Sequence, residues 1–190
     1  MIMDIRYNIQ FFSNWHCGSG LAAGADVDAL VVKESNGLPY VPGRTLKGLL
    51  REAAVELNPD KEKRTLLNKI FGSVDEDGTT RMGAAFFGNA TLAGGADIVK
   101  KGYTPYLFQT FASTAIDETT GIARDNTLRK IETVIPCTLS GDILNLPEGG
   151  DALLREAMQM VKRMGVGRHR GYGRCSISIT KTEEKKEEEK

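Results

Sequence analysis

The sequence predicts an α+β fold, an antiparallel sheet with helices packed on one face. Three observations carry that expectation. Residues 3–12 set Ile5, Tyr7, Ile9 and Phe11 against Arg6, Asn8 and Gln10, the period of two of a strand with one buried face. Two later stretches, after Pro42 and over 151–164, carry their apolar residues at helical spacing. Strand-like runs follow both, at 84–92 and 175–179.

Taken in order, the first strand runs into Ser13-Asn14-Trp15-His16-Cys17-Gly18-Ser19-Gly20 and then a small-residue loop with Asp26 and Asp28. Residues 29–33 have the character of a short strand, and Ser35-Asn36-Gly37 that of a tight turn. Pro42 marks a helix start, because its missing N–H has no partner to lose there. Leu46, Leu49, Leu50, Ala53, Ala54 and Leu57 share one face of that helix, and Asn58-Pro59-Asp60 stops it. A second amphipathic stretch covers 61–71, with Leu66, Leu67 and Ile70 apolar. Residues 72–83 are polar and turn-rich and read as a mobile loop.

Residues 94–129 mix Gly, Thr and Asp turns with short apolar pieces, which reads as a lobe or hairpin projecting from the core. Residues 131–144 have strand character. In the following helix Leu153, Leu154, Ala157, Met158, Val161 and Met164 lie on one side. Strand–helix–strand, twice, around an insertion is the ferredoxin-like or RRM-like arrangement. The organisation expected is one domain over 1–180 with an insertion at about 94–130, and a charged, disordered tail over 181–190.

Composition excludes less than usual. Lys+Arg and Asp+Glu both count 25, so net charge points to no partner. The segment 183–190 holds five acids against three lysines, which leaves the body before it net basic by two. Three scattered cysteines imply no disulfide framework and fit a reducing cytoplasm. The N-terminus is not patterned as a signal peptide, and no apolar run is long enough to span a membrane.

Three constellations could carry chemistry. Residues 165–174 hold four glycines, three arginines and a histidine. Gly165, Gly167, Gly171 and Gly173 give the backbone freedom, and Arg168, Arg170 and Arg174 supply planar donor forks suited to phosphates. The competing reading is a glycine-rich turn with solvated arginines. The stretch Pro42-Gly43-Arg44-Thr45-Leu46-Lys47-Gly48 offers a helix N-terminus beside Arg44 and Lys47, a phosphate site or an ordinary capped helix. It lacks the glycine spacing of a Walker loop. His16, Asp26 and Asp28 share a loop where carboxylates can hold a cation and a histidine can move a proton, or simply cap turns. No cysteine spacing resembles a zinc finger.

In this order the stretches resemble the RAMP superfamily (repeat-associated mysterious proteins) of CRISPR–Cas systems, and within it the multi-copy backbone subunit of type III (Csm/Cmr) effector complexes. His16-Cys17-Gly18-Ser19-Gly20 leading to Gly24-Ala25-Asp26-Val27-Asp28 is similar to that family's catalytic loop. Residues 37–51, from Gly37 to Arg51, resemble its proline-glycine-x-x-leucine-lysine-glycine helix start. Residues 116–134 resemble its thumb region, and 165–174 its glycine-rich loop.

The resemblance implies a cytoplasmic subunit that polymerises with copies of itself along CRISPR RNA, beside other effector subunits. Its thumb would wedge into the guide–target duplex at regular intervals. A loop aspartate would support endoribonuclease cleavage of the target RNA with Mg²⁺ or a similar divalent cation. Counting back from Pro42, Asp28 takes that aspartate's place and would hold the metal, with Asp26 the competing candidate. Where the family often has a proline two residues on, this chain has Leu30. His16 would position RNA or act in acid–base chemistry. RNA contacts are expected from Arg44, Lys47, Arg51, Arg168, Arg170 and Arg174 with the loop glycines. The alternatives are a non-catalytic CRISPR RNA-binding assembly subunit and a stand-alone, metal-independent endoribonuclease that processes CRISPR RNA.

Overall fold

The computed structural model describes residues 2–24, 26–60, 64–75 and 77–185. The chain runs β1 (Ile2–Phe11), α1 (Gly43–Leu57), α2 (Thr65–Phe71), β2 (Gly72–Val74) and β3 (Thr80–Met82). It continues with β4 (Phe86–Phe87), β5 (Thr91–Leu92), α3 (Gly95–Lys100), β6 (Phe108–Ser113) and β7 (Arg129–Val134). β8 (Thr138–Pro147), α4 (Gly150–Met160) and β9 (Cys175–Lys185) complete it.

The main sheet has the order β4–β8–β1–β9, with β5 also on β8, and every pairing in it is antiparallel. β1 lies inside because its alternation is complete: Met3, Ile5, Tyr7, Ile9 and Phe11 all point into the core. Leu46, Leu50, Ala53 and Ala54 of α1, and Leu154, Ala157 and Met158 of α4, close over that face in one continuous cluster. Burying a leucine of this kind contributes about 2 kcal/mol. On the opposite face Arg6 Nε donates to Asp142 Oδ1 at 2.8 Å, a largely exposed pair that stabilises little. The α+β expectation, with an antiparallel sheet, holds.

Several local expectations change. The strand expected over 84–92 is two short ones, parted at Gly88, whose N–H donates to Asp142 O at 2.9 Å. Within the stretch expected as a mobile loop over 72–83, Gly72–Val74 and Thr80–Met82 pair as the antiparallel strands β2 and β3, and residue 76 lies outside the described residues. The strand expected over 131–144 divides into β7 and β8, which belong to different sheets. The lobe expected near 94–130 comprises α3, a 3-10 turn at Thr104–Leu107 and the β6–β7 hairpin. Residues 29–33 make only isolated bridges. Of the second helix, 61–63 lie outside the described residues.

The last helix stops at Met160, yet Val161 and Met164 are buried beyond it, which is why helical spacing overran its end. The tail also differs. β9 continues to Lys185, with Glu183 opposite Asp4 and Glu184 opposite Met3. An edge strand tolerates such charges, since one side of its ladder faces water. Residues 186–190 lie outside the described residues.

All three cysteines are free. Burial pushes the Cys17 thiol up to about 12 and that of Cys175 up to about 11, so both are inert apolar fillers. Among the described residues no helix is long and apolar enough to cross a membrane.

Candidate nucleic-acid interface

The glycine-rich loop is pinned at both ends and free in the middle. Met164 N–H donates to Gly173 O at 2.9 Å, Cys175 N–H to Lys162 O at 2.9 Å, and Gly173 N–H to Asn14 O at 2.7 Å. All four glycines have positive φ. At two of them only glycine fits: a Cβ on Gly165 would lie 2.3 Å from His16 O, and one on Gly173 1.8 Å from Met164 O. Between these pins the segment arches out through a short 3-10 turn, and Arg168, His169 and Arg170 are exposed. The Arg163 guanidinium donates to Arg168 O and braces the arch.

Asp28 stands across from it. Its N–H donates to Lys130 O at 2.8 Å, and its Oδ2 accepts from Lys130 N–H at 2.6 Å, so the aspartate is clasped to β7 while remaining exposed. Glu132 holds the same loop two residues further on. Its N–H donates to Ala29 O at 3.0 Å, while its carboxylate accepts from Val31 N–H at 3.0 Å and Lys33 Nζ at 2.7 Å. Lys33 in turn lies 4.1 Å from the Phe108 ring centre.

His16 joins these walls from beneath. Its ring is 2% exposed, with Nδ1–H donating to Glu132 O at 2.6 Å, and its carbonyl accepts from Val166 N–H at 2.9 Å. One buried histidine therefore ties the β6–β7 hairpin to the arginine loop. It stands behind the cleft rather than in it.

The result is a cleft of about 850 Å³ between Asp28 and Ala29, the hairpin residues Phe111, Ser113, Arg129 and Ile131, and the loop. Residues from opposite ends of the chain thus face one cavity. Asp28, Gly165, Gly167, Arg168 and Arg170 line it; Gly171 and Gly173 shape the loop. Asp26 is exposed in a neighbouring turn, its N–H on Ala23 O at 3.1 Å, and does not line it. Arg174 lies outside, 5.7 Å from the Phe12 ring centre. Arg44, Lys47 and Arg51 share a separate face of α1.

Sequence reasoning missed Phe111, Arg129, Glu132 and Tyr172. Tyr172 lay in view inside the glycine loop; the other three fall in or beside the stretch read only as a projecting lobe or hairpin. Among the described residues no three His, Cys, Asp or Glu side chains gather as a metal cage. Among the described residues that line the cleft, Asp28 is the one carboxylate. That fits Mg²⁺, which is commonly held by one or two carboxylates with the rest of its shell from substrate phosphates and water.

The fold matches solved structures closely. A chain of the type III-B Cmr-beta bound to cognate target RNA superposes with a TM-score of 0.71 at 11% identity, covering 93% of this chain and 96% of that one. A chain of the type III-B Cmr-beta in its apo state gives 0.69 at 12% identity, covering 94% and 97%. No curated protein matches the sequence. A model of the RAMP superfamily matches residues 8–176, nearly the whole described fold, and the chain belongs to that superfamily.

Proposed function

We propose that this chain is an RNA-binding subunit of a type III CRISPR effector complex, assembling in copies along a guide RNA and cutting the paired target RNA from the Asp28 cleft. One observation carries this reading: Asp28 and the arginine loop line the same cavity. The likeness of fold to a Cmr-beta chain from a complex with target RNA supports it.

Each residue then has a role. Arg168, Arg170 and Arg129 neutralise phosphate oxygens, and guanidinium forks suit that geometry. Asp28 takes the 2′-hydroxyl proton as that oxygen attacks the adjacent phosphorus in line. The bond to the 5′-oxygen breaks and that oxygen gains a proton from water, leaving a 2′,3′-cyclic phosphate and a 5′-hydroxyl. A divalent cation bound at Asp28 would supply further charge stabilisation on the phosphate. Arg44, Lys47 and Arg51, on a separate face of α1, add little to RNA affinity.

One observation favours a binding-only subunit: the Asp28 carboxylate already serves as an anchor for Lys130 N–H. In the assembled complex, Asp28→Asn keeps that acceptor and separates the two readings. Target cleavage should fall about a hundredfold or more with target binding within about twofold, as for loss of an acid–base group. Asp26→Asn should cut normally, and EDTA should stop cleavage while sparing binding. Cleavage lost with Asp26→Asn instead would move the catalytic role there. Cleavage intact in both variants would leave the binding-only subunit. The metal-independent nuclease reading needs His16 at the RNA, and its ring is 2% exposed.

A further inference from the structure

Two apolar surfaces stand away from the cleft, and the backbone holds each in place. The first follows α3. Gly102 N–H donates to Val99 O at 3.0 Å and Tyr103 N–H to Ile98 O at 2.9 Å, the paired bonds of a Schellman helix end, which the positive φ of Gly102 permits. Tyr106 N–H then donates to Tyr103 O at 3.1 Å and opens the 3-10 turn. This backbone sets the two rings edge to face, their centres 6.4 Å apart and their planes at 71°, while Tyr103 is 55% and Tyr106 76% exposed. Val99, Lys100 and Lys101, just before them, are exposed too. The second surface is the β2–β3 ribbon. Its register sets Gly72 opposite Met82 and Val74 opposite Thr80, so Val74, Thr80 and Met82 share one face and Ser73 and Arg81 the other. Met82 is 94% exposed and Val74 65%. The turn beyond carries Asp75, taken up by Arg81 Nε at 2.8 Å, and the exposed Asp77, which accepts from Thr79 N–H at 2.9 Å.

A single exposed apolar side chain is ordinary, but a fixed tyrosine pair and a ribbon with its apolar face turned outward are surfaces for a partner. Their chemistries fit each other. Methionine sulfur packs favourably against aromatic rings, and the lysines beside one surface match the acid at the tip of the other. Lysine is depleted at the centre of protein interfaces, so Lys100 and Lys101 belong to the rim. Their placement fits as well. α2, which leads into the ribbon, meets the chain just past the end of β8: added Cβ atoms on Gly149 and Gly150 would come within 3.6 Å of Leu66 and 3.1 Å of Ile70. The tyrosine surface belongs to the other end, where Leu92 pairs with Leu139 and Ile135 N–H donates to Leu107 O at 3.0 Å. β8 between them has 10 residues, a length of about 30 Å. Unlike patches at opposite ends of a molecule cannot meet within it, and their contact between copies repeats in a row or ring instead of closing as a two-fold pair. We propose that the β2–β3 ribbon of one copy docks on the Tyr103–Tyr106 surface of the next, a head-to-tail contact that joins successive copies along the RNA. The inference rests on the assembly in copies proposed above and assigns it the surfaces that carry it.

The test cross-links the full-length protein, assembled on polyuridylate, with a short bis-maleimide. Met82→Cys and Tyr106→Cys alter exposed positions that the fold does not pack around. The two single variants mixed should give cross-linked dimers, and the double variant a ladder of multimers. Either variant alone should give no more cross-linking than wild type. Dimers from Met82→Cys alone would put ribbon on ribbon and overturn the pairing. Assemblies that form on the RNA, measured by light scattering, without a cross-link between the mixed variants would place the contact elsewhere; the inference then falls and assembly in copies stands. If wild type does not assemble on the RNA, both fall. Tyr103→Ala with Tyr106→Ala tells a protein surface from an RNA surface. It should raise the protein concentration needed for assembly about tenfold or more, the effect of removing interface anchors, and leave affinity for an oligouridylate too short for two copies within about twofold. A tenfold loss on that short oligonucleotide would make the tyrosines an RNA contact and overturn the docking surface.

Discussion

Two stretches of this chain look alike on paper, 42–51 at the start of α1 and 165–174 before β9, and the fold uses them in opposite ways. Both mix glycine with arginine or lysine at the edge of a regular element. At the helix start Gly43 is buried, and a Cβ there would lie 2.0 Å from Phe87 O. Its N–H donates to Asn89 Oδ1 at 2.9 Å, while the N–H groups of Thr45 and Leu46 turn back to Pro42 O. Pro42 has no N–H, and of the three free amides that follow it, at Gly43, Arg44 and Thr45, two are thus satisfied by the chain itself. In the loop, the close approaches to backbone are confined to the pins at Gly165 and Gly173, Gly167 meets only the Tyr172 side chain, and the arginines between the pins stand clear. Glycine in one stretch lets the chain pack onto itself; in the other it lets the chain stand away. The glycine's neighbours, not the composition, decide which.

The largest consequence is for stability. Gly43→Ala drives a methyl into the β4 backbone and should cost about 3 kcal/mol, the upper range for overpacking. For a chain of this length that lowers Tm by about 6–12 °C. Gly171→Ala meets nothing within 4 Å and strains only a φ of +89°. It should cost about 1 kcal/mol and lower Tm by about 2–4 °C. Thermal melts of the two variants would undo the contrast if their losses were equal.

RNA affinity should divide the other way. Arg168→Ala with Arg170→Ala should weaken single-stranded RNA binding about tenfold or more, alike across unrelated sequences. The slope of log K against log salt should shrink by about 1.4, the share of two phosphate contacts on a single strand. Arg44→Ala with Arg51→Ala should change affinity less than about threefold. Titrations at several salt concentrations give both quantities, and a sequence-selective loss in the loop variant would contradict contact with the RNA backbone.

What could be read in the sequence follows from which interactions are local. β1 and α1 announce themselves because each buries one regular face, and Asp28 stands out as a carboxylate in a small-residue loop. The β6–β7 ribbon is hidden because β6 beyond Phe108 is exposed on both faces, so no alternation marks it. Without the ribbon in register, nothing brings Phe111 or Arg129 to the cleft, and the clasp between Asp28 and Lys130 spans too much chain to be inferred. His16 shows the converse. Its loop looks catalytic, but Gly18 close against Nε2 and Glu132 O on Nδ1 enclose the ring, and both are long-range or packing facts. Residues 181–184, Lys-Thr-Glu-Glu, lack any apolar period and take their place on β1's hydrogen-bond ladder.

The smallest effect bears on the comparison most directly, because Lys47 is where the helix start most resembles a phosphate site. Its ammonium lies 5.8 Å from the Phe87 ring centre, and the residue is half-buried, so the side chain already has an attachment within the fold. Lys47→Met keeps the stem over the ring and removes only the charge. A cation–π contact of this exposure contributes about 0.5–1 kcal/mol, so Tm should move by no more than about 4 °C. RNA affinity should stay within about twofold, because the loop arginines carry the phosphate contacts. A tenfold fall in affinity at unchanged Tm would mean that Lys47, with Arg44 and Arg51 on the same face, forms a second phosphate track. The two stretches would then differ in how they pack and agree in what they bind.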